Sequence, residues 1–575
     1  MATNRKHKHL RWKPAGPWSA GENELPVHDP PLAPHDEAVF LLHVAAEVEH
    51  ALMVQYLYAA YSLDLQGNYT AEQKARVQAW RRTLLGIARE EMGHLVTVQN
   101  LLRLIGAPII LEREDYPFRG ELYPFHFRLE PLSKRSLAKY VVAEMPQIDP
   151  PPEVQEIIQR AANANTLPIN RVGAIYARIS HLFSPSSDAH AEHLTDHDIL
   201  SRVGPHQAHY EEWGDGPAVQ VPYIGDRYDA LEAIRDLAEQ GEGLSDSPKT
   251  LSHYQRFLNI YKEFPEEGDW QPAHPVPMDP NTSPVAEQGR DPEVDGGRIS
   301  HPRSRMWAQL ANIRYRLLLA YQSHFLESRG PLLNSTCDYT PRGLLNKWTF
   351  DEMRRVGQLA AKLATMPRLE GEPERPERAG APFEMPYTLA LPEHEPDRWR
   401  RHLDVLETSL GLMRRMSDDP QNAEEPLLRE IAESDMMARQ IMQAVAAGDM
   451  LPEQLGGFKK VVRILEDSVR GFRIGVHHNF WRGCTRDEFV NMSIFGNPLI
   501  ARRADGAFDP AGSNLIKALR GEQPFNGEPG GFPQMPAKHP PVRPEGIEYI
   551  CQWIEAGCPD SEPLGEMGME GMRNA

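Results

Sequence analysis

EVEHALMVQYLYAAYS, from Glu47 to Ser62, and REEMGHLVTVQNLLRLIGAP, from Arg89 to Pro108, decide how this chain is read. Both read as long helices with ligand-type residues on an apolar face. In the first, Leu42, Ala45, Glu49, Leu52, Met53, Tyr56 and Ala60 follow the three-four spacing of one helix face. Glu49 is therefore the inward carboxylate, and Glu47, beside His43 and His50, is expected roughly opposite. In the second, Leu84, Ile87, Glu91, His94, Leu95, Val98, Leu102 and Ile105 form the stripe, while Glu90 shares another face with Gly86, Gly93 and Thr97. Asp36, a residue type suited to an N-cap, is expected to open the first helix, and Gly106-Ala107-Pro108 closes the second.

A buried carboxylate without a partner is costly. Helix bundles build half of a two-metal site from a Glu on one helix and Glu-x-x-His on the next. Glu49, Glu91 and His94, with Tyr56 seven residues beyond Glu49, fit that pattern. The competing reading is a satisfied polar network or a set facing solvent. It is the weaker one, because three ligand-type residues and a tyrosine all fall on core faces.

The rest of the composition sets limits. A chain of 575 residues is long enough for two to four domains, each with its own core. A formal net charge of −19 argues against nucleic acid or an anionic membrane surface as partner. No run approaches eighteen apolar residues, and the basic start MATNRKHKHLRWKPAG lacks the apolar segment of a secretory signal. Cys337, Cys484, Cys551 and Cys558 do not read as a disulfide framework, so the expected compartment is the cytoplasm. Fifty-one prolines and 42 glycines imply long connections between helical blocks.

Downstream of the opening helices come YVVAEMPQID, INRVGAIYARIS, ALEAIRDLAEQGEG and SHYQRFLNIY. The first pair is similar in spacing to the corresponding segments of bacterioferritins. The order Glu-Met-Pro, Val-Gly-x-x-Tyr, Glu-Gln-Gly-Glu-Gly and Ser-His-Tyr-x-x-Phe resembles the ferritin-like iminophenyl-pyruvate dimer synthase family, over roughly residues 36–264. Members of that family work in violacein- and chromopyrrolic-acid-type pathways.

The resemblance implies a mainly α fold with a ferritin-like four-helix bundle; helical periodicity that returns after residue 300 adds a further helical layer, and the end of the chain reads as a small α-helical domain. It implies a metal-dependent oxidoreductase or synthase with two iron ions, or manganese in their place, joining or oxidising small amino-acid-derived imines or keto acids. Carried over residue by residue, it implies metal ligation by Glu49, Glu91, His94, Glu144, Glu239, Glu242 and His253, with Tyr56 and Glu91 in catalytic roles. Glu239 and Glu242 are three apart, so one of them is either a second ligand or an acceptor for an imidazole N–H. His253 follows Glu242 by eleven residues, so the usual Glu-x-x-His is split. Glu144 lies just ahead of Pro146, where termination of a helix is an equal explanation. The expected partners are a small-molecule substrate and either a second copy of the chain or a pathway enzyme. Two other readings stay open: a ferroxidase or iron-binding protein without an organic substrate, and a metal-free helical scaffold.

The expected domains are an arm over 1–35, the metal-binding domain over 36–264, a linker over 265–300, helices over 301–470 and a last module over 471–575. His181, His190, His193, His197, His206 and His209 lie in an insertion that reads as a polar lid, with a separate zinc or copper site as the alternative. The end of the chain resembles the C-terminal half of cytochrome-c-like domains, in which Met535 of the Met-Pro loop would be an axial haem ligand. The Cys-x-x-Cys-His attachment motif is absent, Cys484 standing alone near its place with His477 and His478 upstream, so no covalent haem is expected.

Overall fold

The computed structural model describes residues 10–11, 27–28, 30–120, 122–146, 150–164, 171–186, 192–199, 207–208, 210–213, 221–242, 251–266, 268–283, 296–328, 341–371, 377–385, 388–422, 425–447, 457–469, 480–481, 484–528, 531–537, 541–542 and 544–560. Among these, the chain is mainly helical, and the few strands are two-residue pairs. They fall into two compact units. One lies within Met1–Glu327, Trp348–Glu393 and Arg401–Arg439, the other within Ser328–Lys347, His394–Arg400 and Gln440–Ala575.

The first unit is organised by two unbroken helices, α1 (Pro34–Ser62) and α2 (Ala71–Leu104), which pack side by side. Helix α1 begins three residues earlier than an Asp36 cap would have it, with Ala33 as its N-cap, Pro34 as its first residue and no side-chain cap. Asp36 and Glu37 sit instead in its first turn, where their charge suits the helix dipole. Helix α2 opens on a capping box in which the Thr70 hydroxyl accepts from the Gln73 N–H and the Gln73 side chain accepts from the Thr70 N–H.

The other two staves of the bundle are each made of two helices. Helix α3 (Lys134–Ala143) stops at Glu144, and α5 (Gly173–Phe183) starts where it ends: the Val172 N–H donates to the Ala143 carbonyl at 3.2 Å. Between them in sequence lies α4 (Pro152–Ala164), packed on α3. After the short α6 (Tyr210–Trp213), the fourth stave consists of α7 (Arg227–Glu242) and α8 (His253–Glu263). Helix α5 packs on α1 and α7, α3 packs on α8, and α7 and α8 both pack on α2.

Glu47 and His50 do not point to solvent. Both are buried, because α1 is covered on its outer side as well. The segment after α2 and the helix Pro302–Glu327 supply that cover. The His50 Nδ1–H donates to the Leu111 carbonyl at 2.9 Å, and the Tyr315 hydroxyl donates to His50 Nε2 at 2.5 Å. Burial and the Arg113 charge hold this imidazole well below the usual histidine range, in keeping with a neutral ring. A stripe analysis assumes one wet face, and α1 has none of any width.

The expected additional helical segments are present as Pro302–Glu327, Pro341–Leu363, Glu395–Ser417 and Pro426–Ala446. A buried ionic network ties them together. The Arg314 guanidinium meets the Glu352 carboxylate in a bidentate pair, and donates to Asp435 at 2.6 Å and to the Ser409 hydroxyl at 3.2 Å. Such a network fixes register among helices, and removing one partner would strand a buried charge at about 3–5 kcal/mol. No helix among the described residues is long and apolar enough to cross a membrane.

In the second unit, the helices Phe458–Val469, Arg486–Val490, Asn514–Arg520 and Pro544–Glu555 enclose a separate core that includes Val461, Leu465, Phe489, Ile516, Ile550 and Trp553. The helix Asn514–Arg520 ends on Gly521, whose φ of 69° is the left-handed conformation that glycine adopts without strain. Cys484, Cys551 and Cys558 are free thiols, while Cys337, His477 and His478 lie outside the described residues.

Candidate metal centre

Two clusters of ligand-type side chains meet in the middle of the bundle, Glu49, Glu91 and His94 in one and Glu91, Glu144 and His253 in the other. In each, the candidate donor atoms lie within 4.8 Å of one another, and all five residues are buried. Glu91 belongs to both. Its Oε2 lies 2.9 Å from His94 Nδ1 and its Oε1 lies 2.9 Å from His253 Nδ1. Glu49 Oε2 is 3.5 Å from His94 Nδ1, and Glu144 Oε2 is 3.7 Å from His253 Nδ1.

The local sequence explains each position. Glu49 and the Glu91/His94 pair come from the middles of α1 and α2, one turn apart in the latter. Glu144 is the C-cap of α3, held by its own N–H donating to the Tyr140 carbonyl at 3.1 Å. Termination ahead of Pro146 and membership of the cluster are thus both true of it. His253 is the first residue of α8, presented by the capping box of Ser252 and Gln255.

Second partners orient these groups. The His94 Nε2–H donates to Gln240 Oε1 at 2.9 Å, and the His253 Nε2–H donates to Glu90 Oε2 at 2.8 Å. Both Nδ1 atoms are thereby turned toward the carboxylates. Glu90 is also paired with Arg256. The Tyr56 hydroxyl donates to Glu144 Oε1 at 2.6 Å, and the Tyr176 hydroxyl donates to Glu49 Oε1. Burial raises both phenols well above their ordinary range, with the neighbouring carboxylates adding to it, so they act as O–H donors.

Electrostatically the cluster sets buried carboxylates against buried imidazoles that hold protons. Burial, then the Glu91 charge, pushes Glu49 up to about 7. Burial works against charge on Glu91 as well, but the facing His253 and His94 pull its carboxyl well below the usual range. Burial also opposes charge on His94, yet the carboxylates of Glu49 and Glu91 raise it to about 10. Glu49 Oε2, Glu91 Oε1 and His253 Nδ1 are buried without a hydrogen-bond partner. Glu91 Oε1 and His253 Nδ1 face each other at 2.9 Å, an ion pair when the imidazole is protonated. Buried carboxylates and imidazoles that converge on one point are what a bound cation satisfies in place of the protons. Carboxylate and imidazole donors suit iron, manganese or zinc.

Among the remaining sequence candidates, Glu242 lines the same cavity as Glu49, Glu91, His94 and Glu144 but stands in neither cluster. Its Oε1 accepts from the Gly173 N–H at 2.9 Å, and burial raises its carboxyl to about 7. A Cβ on Gly173 would fall 2.4 Å from that carboxylate, so the glycine makes room for it. Glu239 is exposed and lies 3.7 Å from Arg235, directed away from the clusters. The cavity is about 10 Å³, on the scale of one water molecule.

Glu90 is a correction to the stripe: it is buried, with His253 and Arg256 lowering its carboxyl against the effect of burial. Tyr176, Gln240 and Arg256 carried no role in the sequence. The only signal for Tyr176 was its place in the Val-Gly-x-x-Tyr motif. Of the insertion histidines, His181 and His193 are ring neighbours at 4.5 Å, with His193 Nδ1 bonded to the His181 carbonyl, and His197 is exposed. None joins a ligand cluster among the described residues. His190, His206 and His209 lie outside them.

Residues 42–262 match the protein family described as Ferritin-like. This part of the chain has a ferritin-like fold. Two curated proteins extend the similarity beyond it. Dichlorochromopyrrolate synthase of Lentzea aerocolonigenes is 27% identical over 356 residues, which is 54% of this chain and 33% of that protein. The 2-imino-3-(indol-3-yl)propanoate dimerase of Chromobacterium violaceum is 28% identical over 364 residues, 57% of this chain and 33% of that one. The chain thus spans about a third of the length of either relative. A solved ferritin-like protein from Caulobacter vibrioides aligns with 16% identity and a TM-score of 0.30, covering 58% of this chain and 98% of that one.

Proposed function

We propose that the ferritin-like domain holds two divalent metal ions, iron in the first instance, and that the chain is a metal-dependent oxidoreductase or synthase. Its reaction class is the oxidative coupling of imino or keto acids derived from amino acids. The observation that carries this reading is the sharing of Glu91. One carboxylate presents each oxygen to a different imidazole Nδ1, and buried donor atoms around it lack partners. The names of the two relatives, a synthase and an imino-acid dimerase, support the substrate class.

In this reading Glu49, Glu91 and His94 would hold one ion, and Glu91, Glu144 and His253 the other. A bound pair of redox-active ions supplies electron exchange with an oxidant and Lewis acidity toward it. The residues of the chain do the rest. Tyr176 and Tyr56 fix the terminal carboxylates Glu49 and Glu144 by donating to one oxygen of each, leaving the other free. Gln240 and Glu90 hold the imidazoles in the tautomer that exposes Nδ1. Leu52, Val172 and Leu237 give the cavity apolar walls that limit water beside the donors. A cavity of about 10 Å³ has no room for the organic substrate, which would meet the centre from outside it.

Metal analysis of the purified protein with Glu91→Ala and His94→Ala tests the centre. Full iron retention in both variants removes it from these residues. Incubating the iron-loaded protein with 2-imino-3-(indol-3-yl)propanoate and following coupled product by mass tests the chemistry separately. A metal-replete protein that leaves this compound unchanged would count against the substrate class while leaving the centre intact.

A further inference from the structure

The second unit contains a cavity of about 100 Å³ that the ferritin-like domain's chemistry does not use. Its walls are almost entirely apolar, with Phe480, Trp481, Leu515, Ala518, Phe525 and Met535 among them. Met535 is pinned there by its own N–H donating to the Ala518 carbonyl at 2.9 Å. At the mouth stand Phe495 and Phe532, exposed by 64% and 44%. Phe495 and Gly496, with φ of 52° and 79°, form the two-residue turn that joins Ser493–Ile494 to Asn497–Pro498, a turn that calls for positive φ at both positions.

We infer that this cavity binds an uncharged, ring-containing hydrophobic small molecule. Among the described residues no ionisable side chain lines it, which argues against phosphates, nucleotides and amino-acid zwitterions, whose charges would be buried without partners. The polar side chains that do line it are already engaged. Ser468 donates to the Leu465 carbonyl at 2.6 Å, Asn514 to the Pro498 carbonyl at 2.8 Å and Asn497 to the Phe495 carbonyl at 3.3 Å. A peptide segment is a poor occupant for the same reason, since its backbone N–H and C=O groups would find nothing to bond. A closed aliphatic cavity of about 150 Å³ admits one benzene ring and stays dry otherwise. The present cavity, smaller but open at one side, takes one ring inside and leaves the remainder of the molecule against Phe495 and Phe532. Two aromatic side chains exposed at a concave mouth are accounted for by a ligand that covers them. Aromatic rings and a thioether sulfur also make favourable contacts with a bound ring.

The test uses the full chain and the uncharged fluorescent probe 1-N-phenylnaphthylamine. The expected result is saturable binding at about one probe per chain, displaced by indole but not by tryptophan at the same concentration. Ala518→Phe fills the cavity, and Phe495→Ser removes one side of its mouth. Binding should weaken about tenfold or more in the first and several-fold in the second, with unchanged far-UV circular dichroism. Because Phe495 is exposed, its variant keeps the test decisive if Ala518→Phe fails to fold. Glu91→Ala must leave probe binding unaltered, which separates this site from the metal reading. Absence of saturable binding, equal affinity in wild type and both variants, or displacement by tryptophan as readily as by indole overturns the proposal.

Discussion

The two halves of the bundle build their share of the centre by different means. Helices α1 and α2 are unbroken, and Glu49, Glu91 and His94 project from their middles, where a helical period alone fixes direction. The opposite staves are interrupted at the level of the cluster, so Glu144 is a C-cap and His253 an N1 residue. Gly173 and Glu242, at the two remaining helix ends, line the same cavity. Donors from helix middles are held by the whole length of the helix. Donors from helix ends depend on caps and on second partners. The unbroken half should therefore be the tolerant one.

The largest effect belongs to the residue that serves both halves. Glu91→Ala is expected to reduce bound metal from about two ions per chain to about none, whereas Glu49→Ala and Glu144→Ala each spare the opposite position. Metal content by mass spectrometry decides this. Equal, half-maximal loss in all three variants would mean that Glu91 does not bridge.

Next comes the support of the broken half. Glu90 accepts the His253 Nε2–H and is paired with Arg256, so Glu90→Gln loosens the imidazole while leaving Glu91 in place. Loss of such a partner typically costs about 10–100-fold in metal affinity. Competition with a chromophoric chelator should show one weakened and one unaltered position. Two equally weakened positions would break the distinction between the halves.

A pH scan of the metal-free protein probes the unbroken half. His94 is raised from 6.5 to about 10 by Glu49 and Glu91. A raised imidazole stabilises the fold fully below its unfolded value and loses that contribution as pH climbs toward the folded one. Thermal stability of the chelated protein should therefore fall between about pH 7 and 10. Metal loading replaces the protons by cations, so the slope should flatten. A chelated protein whose melting temperature is constant over that window would show that His94 carries no shared proton.

The same contrast explains what the sequence could and could not show. On α1 and α2 the three-four period brought Glu49, Glu91 and His94 onto one face, and the structure brings these three together. Glu47 and Glu90 lie on other faces and stand outside the clusters, as the period has it, yet both are buried, because other elements cover those faces too. On the broken staves there was no period to read. Glu144 and Pro146 looked like a helix end, which is correct and does not exclude a place in the cluster. Glu239 and Glu242 share a spacing, yet one is exposed beside Arg235 and the other reaches back to Gly173. Which side of α7 faces inward depends on its packing against α2 and α5, a tertiary fact with no local signature. Tyr176 and Gln240 act through single hydrogen bonds across the bundle, which no spacing within one helix encodes.

The smallest effect is the most specific to the comparison. Ser252 caps α8 beside His253, and Thr70 caps α2 six turns from His94, each through the same capping box. Ser252→Ala and Thr70→Ala should each cost about 1 kcal/mol of stability, since each strands the same kind of backbone N–H. Their effects on metal should differ. Fraying the first turn of α8 moves a donor, while fraying the first turn of α2 leaves the middle of that helix untouched. Denaturant melts are expected to show similar losses for the two variants, and only Ser252→Ala should release metal more readily to a chelator. If both variants release metal alike, cap position is irrelevant to the centre, and the broken staves are held by packing rather than by their ends.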